Sequence, residues 1–235
     1  MSPSWSRRAT GVHHAGTSAS DDASGRARDK VWPTEQLRTF FEATAHERLA
    51  PVWQLASTTG LRRAELVGLR WADVDLDRGM LRVAHTVTEV RGQLLQQDDA
   101  RTDAAERTFA LDARTVESLR RWRLRQTEER VACPAGVWID SGRVFTRQDG
   151  SGHRPKRLSS AFTALVDRIG LPRIGVHGLR HSYATAALRA GVSPEVVSKR
   201  LGHASIVVTL SIYAHVFEQD DQAAAERAAA AIYGP

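Results

Sequence analysis

"VHGLRHSYATAALRAGVSPEVVSKRLGHASIVVTLSIYAHV", residues 176–216, decides how the rest of the chain is read. Its apolar periodicity predicts helices near 177–190, 194–201 and 205–213. Ser193 can cap the second, with Pro194 at its first position, and Gly202 breaks the chain before the third. On the first helix, the i, i+3, i+4 spacing puts His177, Arg180 and His181 on one face, crowded at the helix start just after Gly175. That end carries unpaired N–H groups and the positive pole of the helix dipole, so it suits an anion and repels a cation. An arginine between two histidines also counts against a metal. A phosphate site fits this geometry, and so does a pair of ordinary capping or buried polar histidines. The second and third helices, joined by a tight turn, have the form of a helix-turn-helix. A purely DNA-binding reading makes His203 a turn residue and Tyr213 core.

The whole chain narrows these alternatives. Its 235 residues are 42% hydrophobic and include six tryptophans, enough for one main domain. The formal charge of +6 favours a polyanionic partner such as nucleic acid. Cys133 is the only cysteine, which excludes a disulfide framework and a multi-cysteine zinc site and points to a reducing, cytoplasmic setting. No stretch reads as a signal peptide or a membrane span. Basic residues are almost all arginine, the lysines being Lys30, Lys156 and Lys199.

Residues 1–29 are polar, rich in Ser, Gly and Arg, and lack apolar periodicity, so a disordered tail is expected there. Residues 30–235 read as the folded domain. Order is predicted to begin near residue 31, with Thr34 capping a helix in which Leu37, Phe40 and Phe41 recur at helical spacing, and a second helix over 49–57. "TTGLRRAELVGLRWADVDLDRG" runs through a short helix into a turn. "MLRVAHTVTEV", "QLLQQ" and "RTFAL" then read as strands of one small antiparallel sheet around the Arg91–Gly92 turn. Further helices are predicted near 113–130, 158–169 and 219–232, with a short extended piece at Val144–Phe145. The fold class is α+β, mostly helical.

Upstream of the opening stretch, "TGLRRAEL" places Arg62 and Glu65 one helical turn apart beside a glycine break, a feature that a repressor does not need. Together these segments resemble the catalytic domain of the tyrosine recombinases, the phage integrase family, over roughly residues 31–232. "TGLRRAEL" is similar to the family's first arginine box, with Arg62 as the first catalytic arginine and Glu65 as its structural partner. "HGLRH" is similar to the second box, giving His177 and Arg180, while "LGH" gives His203 and "TLSIYAH" gives the nucleophile Tyr213. Arg180 precedes His203 by 23 positions and His203 precedes Tyr213 by 10, both as the family pattern implies.

The resemblance implies site-specific recombination or integration of double-stranded DNA. Tyr213 would attack a phosphodiester, form a 3′-phosphotyrosyl link with release of a 5′-hydroxyl, and re-ligate to a partner strand. The link conserves the bond energy, so no cofactor is implied. Arg62 and Arg180 match phosphate with fixed, permanently charged forks, where other phosphoryl-transfer enzymes use magnesium. His177 and His203 add hydrogen bonds and a proton path for a phenol whose unperturbed pKa is ~10. The family also implies self-association on DNA as a tetrameric synapse, and the alanine-rich end resembles the helix that its members dock onto a neighbouring subunit.

Two departures from the family pattern bear on activity. The lysine that would protonate the leaving 5′-oxygen aligns with Arg101, and no lysine occurs between residues 31 and 155. Arginine holds a phosphate well but, with a pKa above ~12, gives up a proton poorly. Residues 1–30 are too short and polar for the helical core-binding domain that usually precedes this one, so the chain is expected to lack it. Both features favour an alternative of a different class: a non-catalytic or weakly active DNA-binding remnant. Lys156, Arg157, Lys199 and Arg200 flank the proposed site and are the expected DNA contacts, whereas the basic helix around Arg120, Arg121, Arg123 and Arg125 reads as a solvated face.

Overall fold

The computed structural model describes residues 31–97, 106–217 and 221–234. The expected tail at 1–29 and Arg101 lie outside them. Among the described residues, the helices are α1 (Thr34–Thr44), α2 (Ala50–Thr59), α3 (Arg63–Gly68), α4 (Ala113–Ala132), α5 (Pro155–Ile169), α6 (Val176–Arg189), α7 (Pro194–Leu201), α8 (Ile206–Phe217) and α9 (Asp221–Tyr233). The strands are β1 (Val74–Asp75), β2 (Met80–Val83), β3 (Thr86–Val90), β4 (Gln93–Gln97) and β5 (Arg107–Ala110). The mostly helical α+β class holds.

Several details differ from expectation. α5 begins at Pro155, before the expected start near 158, and α8 runs past Tyr213 to Phe217. Thr34 is the first residue of α1 and not its cap; Pro33 occupies the cap position, and its carbonyl accepts from Leu37 N. The strand material, expected as one sheet, forms a three-stranded antiparallel sheet in the order β1-β2-β5 and a separate β3-β4 hairpin. The break falls at Ala84–His85. Val83 and Ala84 are both buried, which ends the in-out alternation of a single strand. The chain there crosses close over Gly68, where an added Cβ would come within 2.5 Å of the His85 carbonyl oxygen.

The core is built on aromatic contacts among α1, α2 and α5. Phe162 stands 5.1 Å from Trp53 and 5.5 Å edge-on from Phe40, centroid to centroid, and Trp32 lies 5.1 Å from Phe40. Truncating any of these buried rings should cost about 3–5 kcal/mol. Trp32 also ties the start of the domain to its far end, its backbone N–H donating to Ser182 Oγ on α6. A second apolar cluster joins α6, α7 and α8 through Ala184, Leu188, Val197, Leu201, Tyr213 and Val216. Ser193 caps α7 as expected, accepting from Val196 N, and Gly202 ends it in the left-handed conformation at φ 65°. α6 packs against α2, α7 and α8, and this places the start of α6 beside the C-terminal ends of α2 and α7.

Candidate active site

Helix ends leave carbonyls without intrahelical partners, and their dipoles make those ends negative. Three such carbonyls, at the ends of α2 and α7, receive guanidinium groups. Arg180, on the second turn of α6 and 3% exposed, donates to Gly60 O and Leu201 O, both at 2.7 Å. Arg62, just before α3, donates to Gly202 O at 3.0 Å. Gly60 is required for this approach. It caps α2 at φ +68°, and a Cβ there would stand 2.5 Å from Leu201 Cδ2 and 2.7 Å from Tyr183 Cδ1.

Beneath the two arginines lies Glu65, 4% exposed. One of its oxygens accepts from Arg62 N at 2.7 Å and the other from the Arg62 guanidinium at 3.0 Å. The Arg107 guanidinium, on β5, bonds both oxygens at 3.0 and 2.8 Å, and its Nε donates to Arg200 O at 2.7 Å. Burial works to raise the Glu65 pKa, but the Arg107 bonds and charge and the Arg62 contacts outweigh it, and the carboxyl lies below its ordinary range. The result is a fixed anion that orients two arginines.

The imidazoles sit around this cluster. His177, at the start of α6, keeps part of its surface open to solvent, but the protein packed around its ring, and then the Arg180 and Arg62 charges, lower its pKa. His203 follows the Gly202 break and bonds Thr209 Oγ1 through Nδ1 at 2.8 Å. Burial, then Arg180 and Arg62, push its pKa down to about 4. Both rings are therefore neutral at pH 7. Arg180, lowered to about 10 by burial and by Arg62, keeps its charge there.

Tyr213 is 2% exposed, and burial raises its phenol to about 12 against the lowering effect of Arg180. Its backbone, at φ −111° and ψ 17°, interrupts the helical geometry of α8. The hydroxyl lies 2.8 Å from His181 Nδ1. The His181 ring in turn meets His177 edge-on, at 4.6 Å between centroids. Arg62 and Glu65 from one stretch of sequence, and His177, Arg180, His203 and Tyr213 from another more than a hundred positions on, thus converge on one cluster.

The chain matches the model of the phage integrase family over residues 32–220. It belongs to that family. Similar curated relatives include a tyrosine recombinase XerC-like protein of Caldanaerobacter subterraneus, 31% identical over 207 residues that make up 84% of this chain and 53% of that protein. Tyrosine recombinase XerC of Mycobacterium sp. (strain KMS) is 32% identical over 169 residues, 69% of this chain and 47% of that protein. The chain thus spans about half the length of the curated relatives it matches. Among solved structures, the fold is shared with the Tn1549 transposon integrase in complex with transposon right-end DNA, at TM-score 0.72, 20% identity and coverage of 85% of this chain and 66% of that one. It is also shared with XerA recombinase, at TM-score 0.65, 21% identity and coverage of 87% and 65%.

In this integrase-family chain the expected DNA contacts fall on both sides of the cluster. A groove of about 790 Å³ is lined by Arg62, Arg63, Arg91, Lys156 and His177. Arg157 is exposed on α5 but does not line it. On the other side, a hollow of about 520 Å³ is bordered by Arg107, Lys199, Arg200 and His203. Lys199 pairs with Glu195 across one turn of α7. Arg200 turns inward, donating to Tyr183 Oη at 2.6 Å and lying 4.7 Å from the centre of the Phe109 ring. Arg107 was not singled out from sequence, and His181 was placed on the face of His177 and Arg180 but given no role in the site. β5 places Arg107 on the same side as buried Phe109, and that in-out period is the signal for it. His181 shares a face with His177, but its partner lies 32 positions away.

Proposed function

We propose that this chain carries the catalytic site of a site-specific DNA recombinase, in which Tyr213 attacks a DNA phosphodiester to give a 3′-phosphotyrosyl intermediate that is then re-ligated. The convergence of Arg62 and Arg180 beside Tyr213, with neutral His177 and His203 at hand, carries this reading. Attack spreads negative charge over the non-bridging oxygens. Two guanidiniums, Arg180 held by the Gly60 and Leu201 carbonyls and Arg62 by the Gly202 carbonyl and Glu65, supply a preorganised positive field for that charge without reorganisation at the moment of reaction. Arg62, with its side chain 41% exposed, is the group that meets incoming phosphate first, and Arg180 lies deeper.

Double-stranded DNA is the proposed substrate, laid along the groove of Arg63, Arg91 and Lys156. A second copy of the chain is the proposed partner on DNA. Ile206, Val207, Val208 and Leu210 on α8, and Ile232 and Tyr233 on α9, are exposed large apolar side chains that support such an association. No described helix is long and apolar enough to cross a membrane. Membership of a DNA-acting family supports placing the reaction in the cytoplasm.

A nicked suicide substrate tests the reading, because the strand downstream of the cleavage site diffuses away and the covalent adduct accumulates. The native chain should form an adduct that Tyr213→Phe abolishes, and excess chelator should leave it unchanged, since the arginines take the place that metal ions hold in other phosphoryl-transfer sites. An adduct that survives in Tyr213→Phe, or that requires added magnesium, would overturn the assignment.

A further inference from the structure

The three imidazoles of the cluster stand in different relations to Tyr213. His203 Nδ1 is engaged with Thr209. Burial, and then the charges of Arg180 and Arg62, lower the pKa of both His177 and His203, which makes those two rings weak proton acceptors. His181 is the ring in hydrogen-bond contact with the phenol, at 2.8 Å, and it is fixed edge-on against His177. Buried and raised to about 12, Tyr213 cannot ionise unaided near neutral pH. Its proton needs an acceptor within reach, and geometry is the first requirement of a general base.

We infer that His181 is a catalytic residue of this site, taking the Tyr213 proton as the phenol oxygen attacks phosphorus and returning it when the strand is re-ligated. This inference rests on the recombinase reading above. With its own proton on Nε2, His181 presents the Nδ1 lone pair to the hydroxyl. The Tyr213 Oη–P bond forms as the phenol proton passes to Nδ1. The P–O5′ bond breaks with its electron pair on the 5′-oxygen, which is protonated by water. In re-ligation the 5′-hydroxyl attacks phosphorus and gives its proton to water as the P–O5′ bond forms, the tyrosine oxygen departs, and the His181 imidazolium returns its proton to that oxygen. His177 on α6 and Tyr213 on α8 face this ring directly, and His203 interacts with it electrostatically while also feeling the charges of Arg180 and Arg62.

The experiment uses the 235-residue chain and a nicked suicide duplex carrying a 5′-bridging sulfur. Its thiolate leaves without a proton, so adduct formation reports the attack step alone. His181→Ala and His181→Gln should each slow the adduct by about 10²-fold. Free imidazole should restore part of the rate in His181→Ala, in proportion to its unprotonated fraction across pH 6–8. Gln keeps a hydrogen-bond acceptor but cannot hold the proton, and it should stay slow with a melting temperature near that of the native chain. Native speed in His181→Gln overturns the proposal, as does a slow His181→Ala that keeps the native pH profile and gains nothing from imidazole, the mark of a structural histidine. Faster cleavage by either variant would make His181 a latch on Tyr213 and also overturns it. Loss of the recombinase reading looks different: the native chain itself then forms no adduct, or Tyr213→Phe keeps one.

Discussion

At the scale of single residues, Glu65 illustrates why this site is rigid. It is almost fully buried and holds three hydrogen bonds from guanidiniums and one from a backbone N–H. Glu65→Gln removes the negative charge and leaves Arg107, whose side chain is 8% exposed, facing an uncharged amide. Breaking one partner of a buried pair costs about 3–5 kcal/mol, so the variant should unfold at clearly lower denaturant and form adduct more slowly still. The histidines predict a pH dependence. His203, lowered from 6.5 to about 4, stays neutral in the folded chain while the unfolded chain takes up a proton as the pH drops below 6.5, and His177, lowered in the same direction, adds to the difference. More protons bound in the unfolded state means that stability rises with pH in this window. The melting temperature should therefore be highest above pH 6.5 and decline towards pH 4, and His203→Gln should flatten the decline. A profile that is flat from 7 to 4 would contradict the assigned environments.

At the scale of elements, the site is made by helix ends more than by helix faces. The terminal carbonyls of α2 and α7 hold Arg180 and Arg62, and the left-handed glycines Gly60 and Gly202 let those helices stop where the carbonyls are needed. Gly202→Ala places a side chain at φ 65°, a conformation that costs about 1–2 kcal/mol. The same change shifts the carbonyl under Arg62. The adduct rate should accordingly fall by more than the stability loss accounts for, measured as adduct formation at a temperature where the variant is still folded. If rate and stability fall in step, the carbonyl contributes nothing beyond the fold. The interruption of α8 at Tyr213 belongs to the same scale, because it turns that side chain back towards α6 and into contact with His181.

At the scale of the whole molecule, the charge of +6 is directed by placement. Arg200 and Arg107 turn inward to protein partners, while Lys156 and Arg91 line the groove that opens onto Arg62 and His177. Contacts of this kind bind phosphate through counterion release, so DNA affinity should fall steeply with salt. Lys156→Ala should weaken binding to all sequences alike and lower the slope of log affinity against log salt by about 1. Measured on two unrelated duplexes, an unchanged slope would place Lys156 outside the interface, and a sequence-dependent loss would make it a base contact.

Much of this architecture was legible before any coordinates. The 3.6-residue period located the helices; Ser193, Pro194 and Gly202 marked the ends of α7; and the boxes around Arg62, His177, Arg180, His203 and Tyr213 named most of the cluster, because each signal is local or carried by fixed intervals. The division of the strands into a sheet and a hairpin was not legible, since it goes with the packing of α3 against β3, where Gly68 comes close under His85. Arg107 and His181 likewise acquire their roles from partners 42 and 32 positions away. A sequence specifies which side chains are present and how they repeat along an element. Which guanidinium meets which carbonyl, and which imidazole meets the phenol, is decided only when packing brings the helix ends together, because hydrogen bonds act over about 3 Å and carry no trace in the spacing of residues so far apart.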